Sequence, residues 1–314
     1  MIRRGFLRLT MVMFALLPLS GCRNANSTKQ PQDGKLNIVA TTSIVADVVR
    51  QVAGDKINLV ELLPAGADPH TFEPRPQDVA SIADASLVFA SGAGLEEFLK
   101  PLLASAGATD RVVEASAGIT LLSFTGQDVP VGGEQEHADG DPHTWMDPNN
   151  VIIWTGNIAS ALSRADPVHA DVYAANAQAY ISTLRDLDTW IRQQVEPLPA
   201  SRRKLVTDHR SLAYFARTYG FELVGQVVGS FSTAAQPSAQ EFATLQDEIK
   251  KFAVPAIFLD STANPLLAEQ LSQDTGIHVV RIYTGSLSAV DGPAADYVSM
   301  MRYNVSAIVA ALKA

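Results

Sequence analysis

The sequence predicts an α/β fold of two lobes, each a four-stranded, mainly parallel sheet with flanking helices, joined by one long rigid helix. Two observations lead to this prediction. In both halves of the 314-residue chain, short apolar runs alternate with helical patterns, which is typical of parallel sheets covered by helices on both faces. Between the halves, residues 167–195 have no glycine and no internal proline and repeat apolar residues at helical spacing, which predicts one long helix.

The N-terminal segment is predicted to direct export rather than to fold with the lobes. Three arginines precede an apolar run at 9–19 that is too short to span a bilayer comfortably, so residues 1–22 are predicted to be a signal peptide with its cleavage motif. The final letters, LSGC, resemble a bacterial lipobox and make Cys22 the predicted lipidation site; an ordinary signal peptide with an incidental cysteine is the alternative. The polar residues 23–35 are predicted to be a flexible tether.

The charge of the chain argues against nucleic acid as a partner. The formal net charge is −9, and removing residues 1–21, which carry three arginines and no acidic residue, takes it to −12. Phosphate backbones require a basic patch, whereas an acidic surface is compatible with attracting cations. Cys22 is the only cysteine, so no intramolecular disulfide can form. We expect a monomer anchored outside the cytoplasm, in a periplasm or on the outer face of the cytoplasmic membrane.

The N-terminal lobe is predicted to span residues 36–160. Ser43 is a suitable N-cap for its first helix. Asp147 followed by Pro148 predicts the start of a later helix, because aspartate accepts hydrogen bonds from free N–H groups and proline fits the first helical position. The apolar runs predict strands at 37–41, 59–62, 87–90 and 111–114, with helices at 43–54, 76–85 and 95–104.

The connecting helix is predicted within residues 161–199 and the C-terminal lobe within 200–314. At about 1.5 Å of rise per residue, such a helix would span roughly 40 Å, enough to run along both lobes. It would limit hinge motion, since a helix is stiffer than a Gly/Ser tether. Ser238 and Glu241 have the spacing of a capping box before the helix that extends to 252. The strands of this lobe are predicted at 204–207, 223–228, 256–259 and 278–282.

Three histidines in similar settings predict one metal site. His143 lies in the motif DPHTWMDP at 141–148, on a loop constrained by two Asp-Pro steps, where side chains serve ligands more often than packing. His70 and His209 each follow a predicted strand, and ligands of parallel α/β sheets bind beyond the carboxyl ends of the strands. Asp260 ends another strand and is the candidate fourth ligand. Imidazoles with one carboxylate suit Zn²⁺ better than Mn²⁺, Mg²⁺ or Ca²⁺.

A series of short motifs extends along nearly all of the mature chain. It comprises PHTFEP at 69–74, GAGLE at 92–96, DPHTWMDP at 141–148, TDH at 207–209, YF at 214–215, QPS at 236–238, and GP at 292–293 with the helix that follows it. Their order resembles that of the metal-binding lipoproteins of zinc and manganese ABC importers, solute-binding proteins in which a rigid helix separates two lobes. The resemblance implies that His70, His143 and His209 are metal ligands. Histidine rather than glutamate at the third position is similar to the zinc-type members.

The resemblance implies a role in metal uptake. It implies extracytoplasmic binding of a divalent transition metal, with zinc as the expected ion and manganese as the alternative, and delivery to the membrane permease of an ABC importer, without enzymatic activity. Zinc-type members tend to carry a loop rich in histidine and acid before the second ligand. Here residues 134–141 are a short acidic version with one histidine, which a solvated loop explains better than a role in gathering zinc. One departure is Gly285, which stands where the family has an aspartate ligand. The identity of the fourth ligand therefore stays open.

Two other function classes stay open on the sequence alone. Three histidines and a water also describe a catalytic zinc site, so a hydrolase is an alternative. Against it, no glutamate lies at metalloprotease spacing from a histidine, and no GxSxG motif is present. A tethered surface lipoprotein can also serve as an adhesin, although no repeat or extended apolar stretch marks such a surface. His169 is expected at the surface and His278 within a strand, each without a metal.

Overall fold

The structure is a computed structural model, and it describes residues 34–123, 140–228, 233, 238–252 and 254–313. The predicted signal peptide with Cys22, most of the predicted tether and most of the acidic segment 134–141 lie outside these residues. Within the described ranges, no helix is both long and apolar enough to cross a membrane.

The N-terminal lobe is a parallel sheet of four strands flanked by helices. Its elements in chain order are β1 (Leu36–Ala40), α1 (Ser43–Ala53), β2 (Ile57–Glu61), α2 (Pro76–Asp84), β3 (Leu87–Ala90), α3 (Leu99–Ala106), β4 (Val112–Glu114), a 3₁₀ helix (Thr144–Met146) and α4 (Pro148–Ala165). The strand order is β2-β1-β3-β4, and every neighbouring pair is parallel. The four predicted strands are all present, and their carboxyl ends therefore point toward one edge of the lobe.

The C-terminal lobe repeats this arrangement. Its elements are β5 (Lys204–Thr207), α6 (Ala213–Tyr219), β6 (Glu222–Gln226), α7 (Ala239–Phe252), β7 (Ala256–Asp260), α8 (Leu266–Thr275), β8 (His278–Ile282) and α9 (Tyr297–Lys313). The strand order is β6-β5-β7-β8, again with parallel neighbours. The fold class predicted from the sequence, two four-stranded parallel sheets with flanking helices, is confirmed.

One helix of 26 residues, α5 (Ala170–Val195), connects the lobes after a 3₁₀ turn at Pro167–His169. At about 1.5 Å per residue it is roughly 39 Å long. The predicted range for the connecting helix, 161–199, also takes in the last turn of α4. The buried face of α5 belongs to one continuous apolar cluster that includes side chains of α1 and α4 from the first lobe and of α6 and α9 from the second. A shared core of this kind opposes large changes in the angle between the lobes.

The first helix starts where predicted, but its N-cap is a different residue. Thr42, not Ser43, caps α1, because the Thr42 hydroxyl accepts a hydrogen bond from the backbone N–H of Val45 at 3.2 Å. The Ser43 hydroxyl instead accepts a hydrogen bond from the backbone N–H of Leu287 in the other lobe, at 3.0 Å. The Ser43 side chain, which the local sequence predicts to be the cap, therefore makes a long-range hydrogen bond instead.

Two other predicted helix starts are confirmed. Asp147 caps α4, since its Oδ1 accepts a hydrogen bond from the backbone N–H of Asn149 at 2.9 Å, with Pro148 at the first helical position. Ser238 and Glu241 form a reciprocal capping box before α7, with backbone-to-side-chain distances of 2.7 and 3.2 Å.

Helix α3 begins later than predicted, at residue 99 instead of 95. The reason is Glu96, whose buried carboxylate accepts hydrogen bonds from the backbone N–H groups of Ser91 and Gly92 at 2.7 and 3.1 Å. These bonds close a tight loop in which Ala93 has a positive φ of 56°. The chain therefore completes a turn around the Glu96 carboxylate before it becomes helical.

Candidate metal centre

The three predicted ligand histidines lie on three separate loops that meet between the lobes. His70 lies on the loop between β2 and α2, and His143 lies directly before the 3₁₀ helix that leads into α4. His209 follows β5 in the second lobe. The positions agree with the rule that ligands of parallel α/β sheets bind beyond the carboxyl ends of the strands.

The imidazole rings converge closely. Nε2 of His143 lies 3.3 Å from Nε2 of His70 and 3.3 Å from Nε2 of His209. His143 and His209 are almost fully buried, at 0% and 2% exposure, and His70 is partly buried. In a tetrahedral site with Zn–N distances of about 2.0–2.1 Å, ligand nitrogens lie about 3.3–3.4 Å apart. The observed spacing therefore matches three ligands around one ion.

Carboxylates orient two of the rings. Nδ1 of His143 lies 2.9 Å from Oδ1 of Asp141, and Nδ1 of His209 lies 2.9 Å from Oδ2 of Asp208. Both carboxylates are buried, with 1% and 5% of their residue surface exposed. A hydrogen bond from Nδ1–H to a carboxylate leaves Nε2 as the metal-binding atom and raises its basicity. Asp141 and Asp208 therefore hold the rings of His143 and His209 with Nε2 facing the site.

A repeated local motif positions two of the histidines. In Asp-Pro-His at 68–70 and again at 141–143, the aspartate Oδ1 accepts a hydrogen bond from the backbone N–H of the histidine two residues later, at 2.9 Å in both cases. Such a turn holds the backbone at the ligand in one conformation. The role of Asp68 was missed by sequence reasoning, although the recurrence of the tripeptide is the signal that could have revealed it.

Negative charge surrounds His209. Burial alone would lower the pKa of His209, but the carboxylate of Asp208 beside Nδ1, together with Asp260 and Asp68, raises the pKa to about 9. The three carboxylates thus favour a positive charge at the His209 ring. A divalent cation bound there would experience the same attraction.

Trp145 packs beside the site and also joins the lobes. Its ring centroid lies 5.3 Å from that of His143. Its indole Nε1–H donates to the backbone oxygen of Thr284 in the second lobe at 2.8 Å. Tyr297 donates its hydroxyl hydrogen to the Trp145 backbone oxygen at 2.7 Å. The 3₁₀ helix after His143 is therefore held by hydrogen bonds to two segments of the other lobe.

Asp260 ends β7, as predicted, and β7 pairs with β5, the strand that leads to His209. Its side chain is fully buried, and its oxygens accept hydrogen bonds from Thr262, Thr284 and Gly285. Burial alone would raise the pKa of Asp260, but these hydrogen bonds and the nearby His209 hold it below the usual value. Among the described residues, the group whose potential ligand atoms all lie within 4.8 Å of one another consists of the three histidines, without Asp260.

Most of the chain matches one known protein family. Residues 38–311 match the family described as "Zinc-uptake complex component A periplasmic". The chain belongs to this family. Its members are metal-binding substrate-binding proteins of ABC importers. The motifs predicted this class of protein, and the class is confirmed; the match does not establish which metal is bound.

Among relatives, the manganese-binding lipoprotein MntA of Halalkalibacterium halodurans is 32% identical over 305 residues, covering 96% of this chain and 97% of that protein. The manganese ABC transporter substrate-binding lipoprotein PsaA of Streptococcus pneumoniae is 31% identical over 311 residues, covering 97% of each. The similarity to these two relatives thus extends over nearly the whole chain, and both relatives are named as manganese proteins.

Two solved structures of metal-binding proteins have folds similar to that of this chain. The periplasmic zinc binding protein TroA from Treponema pallidum has a TM-score of 0.79 at 29% identity, covering 89% of this chain and 99% of that one. A Mn-bound periplasmic metal binding protein from Candidatus Liberibacter asiaticus has a TM-score of 0.75 at 25% identity, covering 88% and 98%. Similar structures are thus described with zinc and with manganese, so the fold by itself does not select the metal.

Proposed function

We propose that this protein binds zinc outside the cytoplasm and delivers it to the membrane permease of an ABC importer. The observation that carries the proposal is the 3.3 Å spacing from Nε2 of His143 to Nε2 of both His70 and His209. This spacing suits one tetrahedral zinc ion. Membership of a zinc-uptake component family supports the transport role.

The donor atoms favour zinc over manganese. Three imidazole nitrogens converge, and no carboxylate oxygen of the described residues joins them. Imidazole suits zinc, whereas manganese prefers carboxylate, carbonyl and water oxygens. The relatives support a divalent metal without selecting one, since some are named for manganese and one structural neighbour for zinc. Manganese is the alternative cargo.

The remaining parts of the proposal concern location and partners. Relatives named as lipoproteins support a lipid anchor at Cys22 and a location outside the cytoplasm. Delivery to a permease requires binding and release of the ion but no chemical step, so we propose that the protein is not an enzyme. The acidic net charge of −9 supports the absence of a nucleic acid partner, and we propose that the protein acts as a monomer.

Metal content and competition on the mature protein test the proposal. We expect one zinc ion per chain, retained against equimolar manganese. His143→Ala should lose high-affinity binding. The matched control is His169→Ala, because His169 pairs with Asp166 at 2.7 Å on the surface, away from the three rings. Preferential retention of manganese would identify manganese as the cargo instead.

Two further assays separate transport from the other function classes. Deletion of the gene should impair growth in zinc-poor medium, and excess zinc should restore it; unimpaired uptake would contradict the transport role. Zinc-loaded protein should hydrolyse neither esters nor peptides. Turnover that disappears in His143→Ala would show that the site is catalytic.

A further inference from the structure

We propose that Asp47 is a positioning residue whose buried negative charge keeps the contact between the two lobes reversible, so that the bound metal ion can leave. This inference rests on the proposed function, because delivery to a permease requires release of the ion as well as binding. It concerns the junction between α1 and the start of α9 and leaves the ligands of the ion unchanged.

Asp47 connects a helix of the first lobe to a helix of the second. It lies on α1 with 6% of its surface exposed, and its Oδ2 accepts the backbone N–H of Tyr297, the first residue of α9, at 3.0 Å. The Tyr297 hydroxyl donates to the backbone oxygen of Trp145, two residues after His143, at 2.7 Å. The first lobe therefore holds Tyr297 from both ends, and Asp47 acts through Tyr297 on the segment that carries His143.

The start of α9 has an N-cap of its own, so it does not need Asp47 for capping. Asp296 precedes α9, and its Oδ1 and Oδ2 accept the backbone N–H and the hydroxyl of Ser299 at 2.8 and 2.7 Å. An aspartate in this position satisfies the N–H groups that a helix start leaves free. Asp47 therefore brings a second carboxylate, from the other lobe, to a helix start that already has one.

Hydrogen bonds compensate the buried carboxylate of Asp47 only in part. Its donors in the described part of the chain are the N–H of Tyr297 and the side-chain amide of Gln51, which lies 3.3 Å from Oδ1, whereas a carboxylate has about four acceptor positions. The hydroxyl of Tyr180 on α5 is buried and has no hydrogen-bond partner among the described residues. Burial raises the pKa of Tyr180, and the charges of Asp47 and Asp296 raise it further. The phenol thus lies near both carboxylates without stabilising either by a hydrogen bond.

The charges around Asp47 do not neutralise it. Arg50, the cation on the same helix, has a half-exposed side chain and pairs with Glu61 at 2.7 Å. Burial raises the pKa of Asp47 above its ordinary 3.8, and the charge of Asp296 raises it further, whereas the hydrogen bonds and Arg50 lower it by less. Ionisation of Asp47 therefore costs more in the docked lobes than it would in water.

This cost weakens the docking of the lobes once Asp47 is ionised. A raised carboxyl pKa contributes stability that is fully present below the ordinary value of 3.8 and is lost as pH rises through the pKa of the folded state. Asparagine would accept the same N–H of Tyr297 without a charge. An ion held by rings from both lobes leaves only when contacts between the lobes loosen, so the charge of Asp47 should promote release.

The first test measures zinc release from the loaded mature protein to a chromogenic chelator by stopped flow at pH 8. Asp47→Asn should slow release by about fivefold or more, because it removes an incompletely compensated buried group but keeps the acceptor. Asp47→Ala should speed release, because the N–H of Tyr297 loses its acceptor. The matched control is Asp55→Asn, just after α1, where Asp55 pairs with Lys56 at 2.8 Å; it should release zinc like the wild type.

The second test follows the pH dependence of the same effect. The ratio of the release rates of wild type and Asp47→Asn should fall toward one as pH is lowered, since a proton then removes the charge of Asp47, while protonation of the histidines affects both proteins alike. Thermal unfolding of the apoproteins should show Asp47→Asn as the more stable at pH 8, with a difference that shrinks in acid. Asp296→Asn keeps an N-cap acceptor and removes the neighbouring charge, so it should also slow release and decides the question if Asp47→Asn fails to fold.

The outcomes separate this inference from the proposed function. Opposite changes in Asp47→Asn and Asp47→Ala, with a ratio that depends on pH, would support a reversible contact set by the charge. Faster release and lower stability in both variants, or a wild-type rate in Asp47→Asn, would overturn the inference while leaving zinc binding intact. A wild-type protein that holds no zinc would overturn both.

Discussion

The hydroxyl of Tyr214 donates to the backbone oxygen of Asp141 at 2.8 Å and accepts the backbone N–H of Leu122 at 3.1 Å. Tyr214 lies on α6, the helix that follows His209, whereas Asp141 precedes His143 by two residues. One buried phenol therefore fixes the loop of the second histidine against the helix of the third. The distance between these two histidines is set by direct contact between the lobes, not only by the folding of each lobe.

Removal of this hydroxyl should loosen the site before any metal is bound. Tyr214→Phe keeps the ring but leaves a buried carbonyl and a partly buried N–H without their partner, so we expect a loss of about 1–3 kcal/mol in the free energy of unfolding. Zinc affinity should also fall. Urea denaturation of the apoprotein and a chelator competition assay measure the two effects. Tyr303→Phe is the control, because its ring packs edge-on against Tyr283 away from the histidines; equal behaviour of the two variants would contradict the prediction.

The carboxylate of Asp208 should be needed for affinity although it does not contact the ion. Asp208→Asn removes the charge beside His209 Nδ1, 2.9 Å away, and should weaken zinc binding ~10–100-fold. The comparison variant is Asp166→Asn, which disturbs the same kind of pair at the surface histidine His169 and should leave affinity unchanged. Isothermal titration of both variants provides the measurement. An unaltered dissociation constant in Asp208→Asn would mean that the pair only holds the apoprotein together.

Much of the fold was predictable because its signals are local. The strands are apolar runs separated by turn residues, and all eight lie within two residues of their predicted positions. Errors arose where distant residues competed with local preferences. The Ser43 hydroxyl binds Leu287, 244 residues away, so Thr42 caps the helix instead. Nothing in the sequence near Ser43 reports that contact.

In the site, too, features that depend on local sequence were predictable and features that depend on distant residues were not. The three candidate ligand histidines were predictable from their motifs, and the structure brings all three together. The environment of Asp260 was not predictable, because two of its donor residues, Thr284 and Gly285, lie 24 and 25 residues further along the chain. Only the pairing of β7 with β8 brings their loop to its carboxylate. A strand-end aspartate near a metal site is therefore ambiguous until the loop beside it is known.

Lipid attachment at Cys22 should determine location without affecting binding. Cys22→Ser should release soluble protein or leave an unprocessed precursor, because the proposed lipid anchor would be attached to this cysteine. Several acyl chains hold a protein firmly at a membrane, whereas one gives only marginal binding. Detergent phase partitioning with immunoblotting follows the anchor, and zinc titration of the released protein follows the site. Wild-type protein that partitions into the aqueous phase would show that no anchor is attached.

Zinc binding should strengthen with rising pH because a proton competes for His209. Burial alone would lower the pKa of His209, but Asp208, Asp260 and Asp68 raise it to about 9. Below that pH the metal must displace this proton, so the affinity should rise by up to about tenfold per pH unit until pH reaches about 9.

The stability of the apoprotein should change in the opposite direction. A raised pKa stabilises the folded state fully below the ordinary value of 6.5, and this contribution is lost as pH rises through about 9. Calorimetric titration in buffers of different ionisation enthalpy should detect the released proton at pH 7, and thermal unfolding of the apoprotein from pH 6 to 9 measures the second effect. Zinc binding without proton release at pH 7 would show that His209 is already neutral.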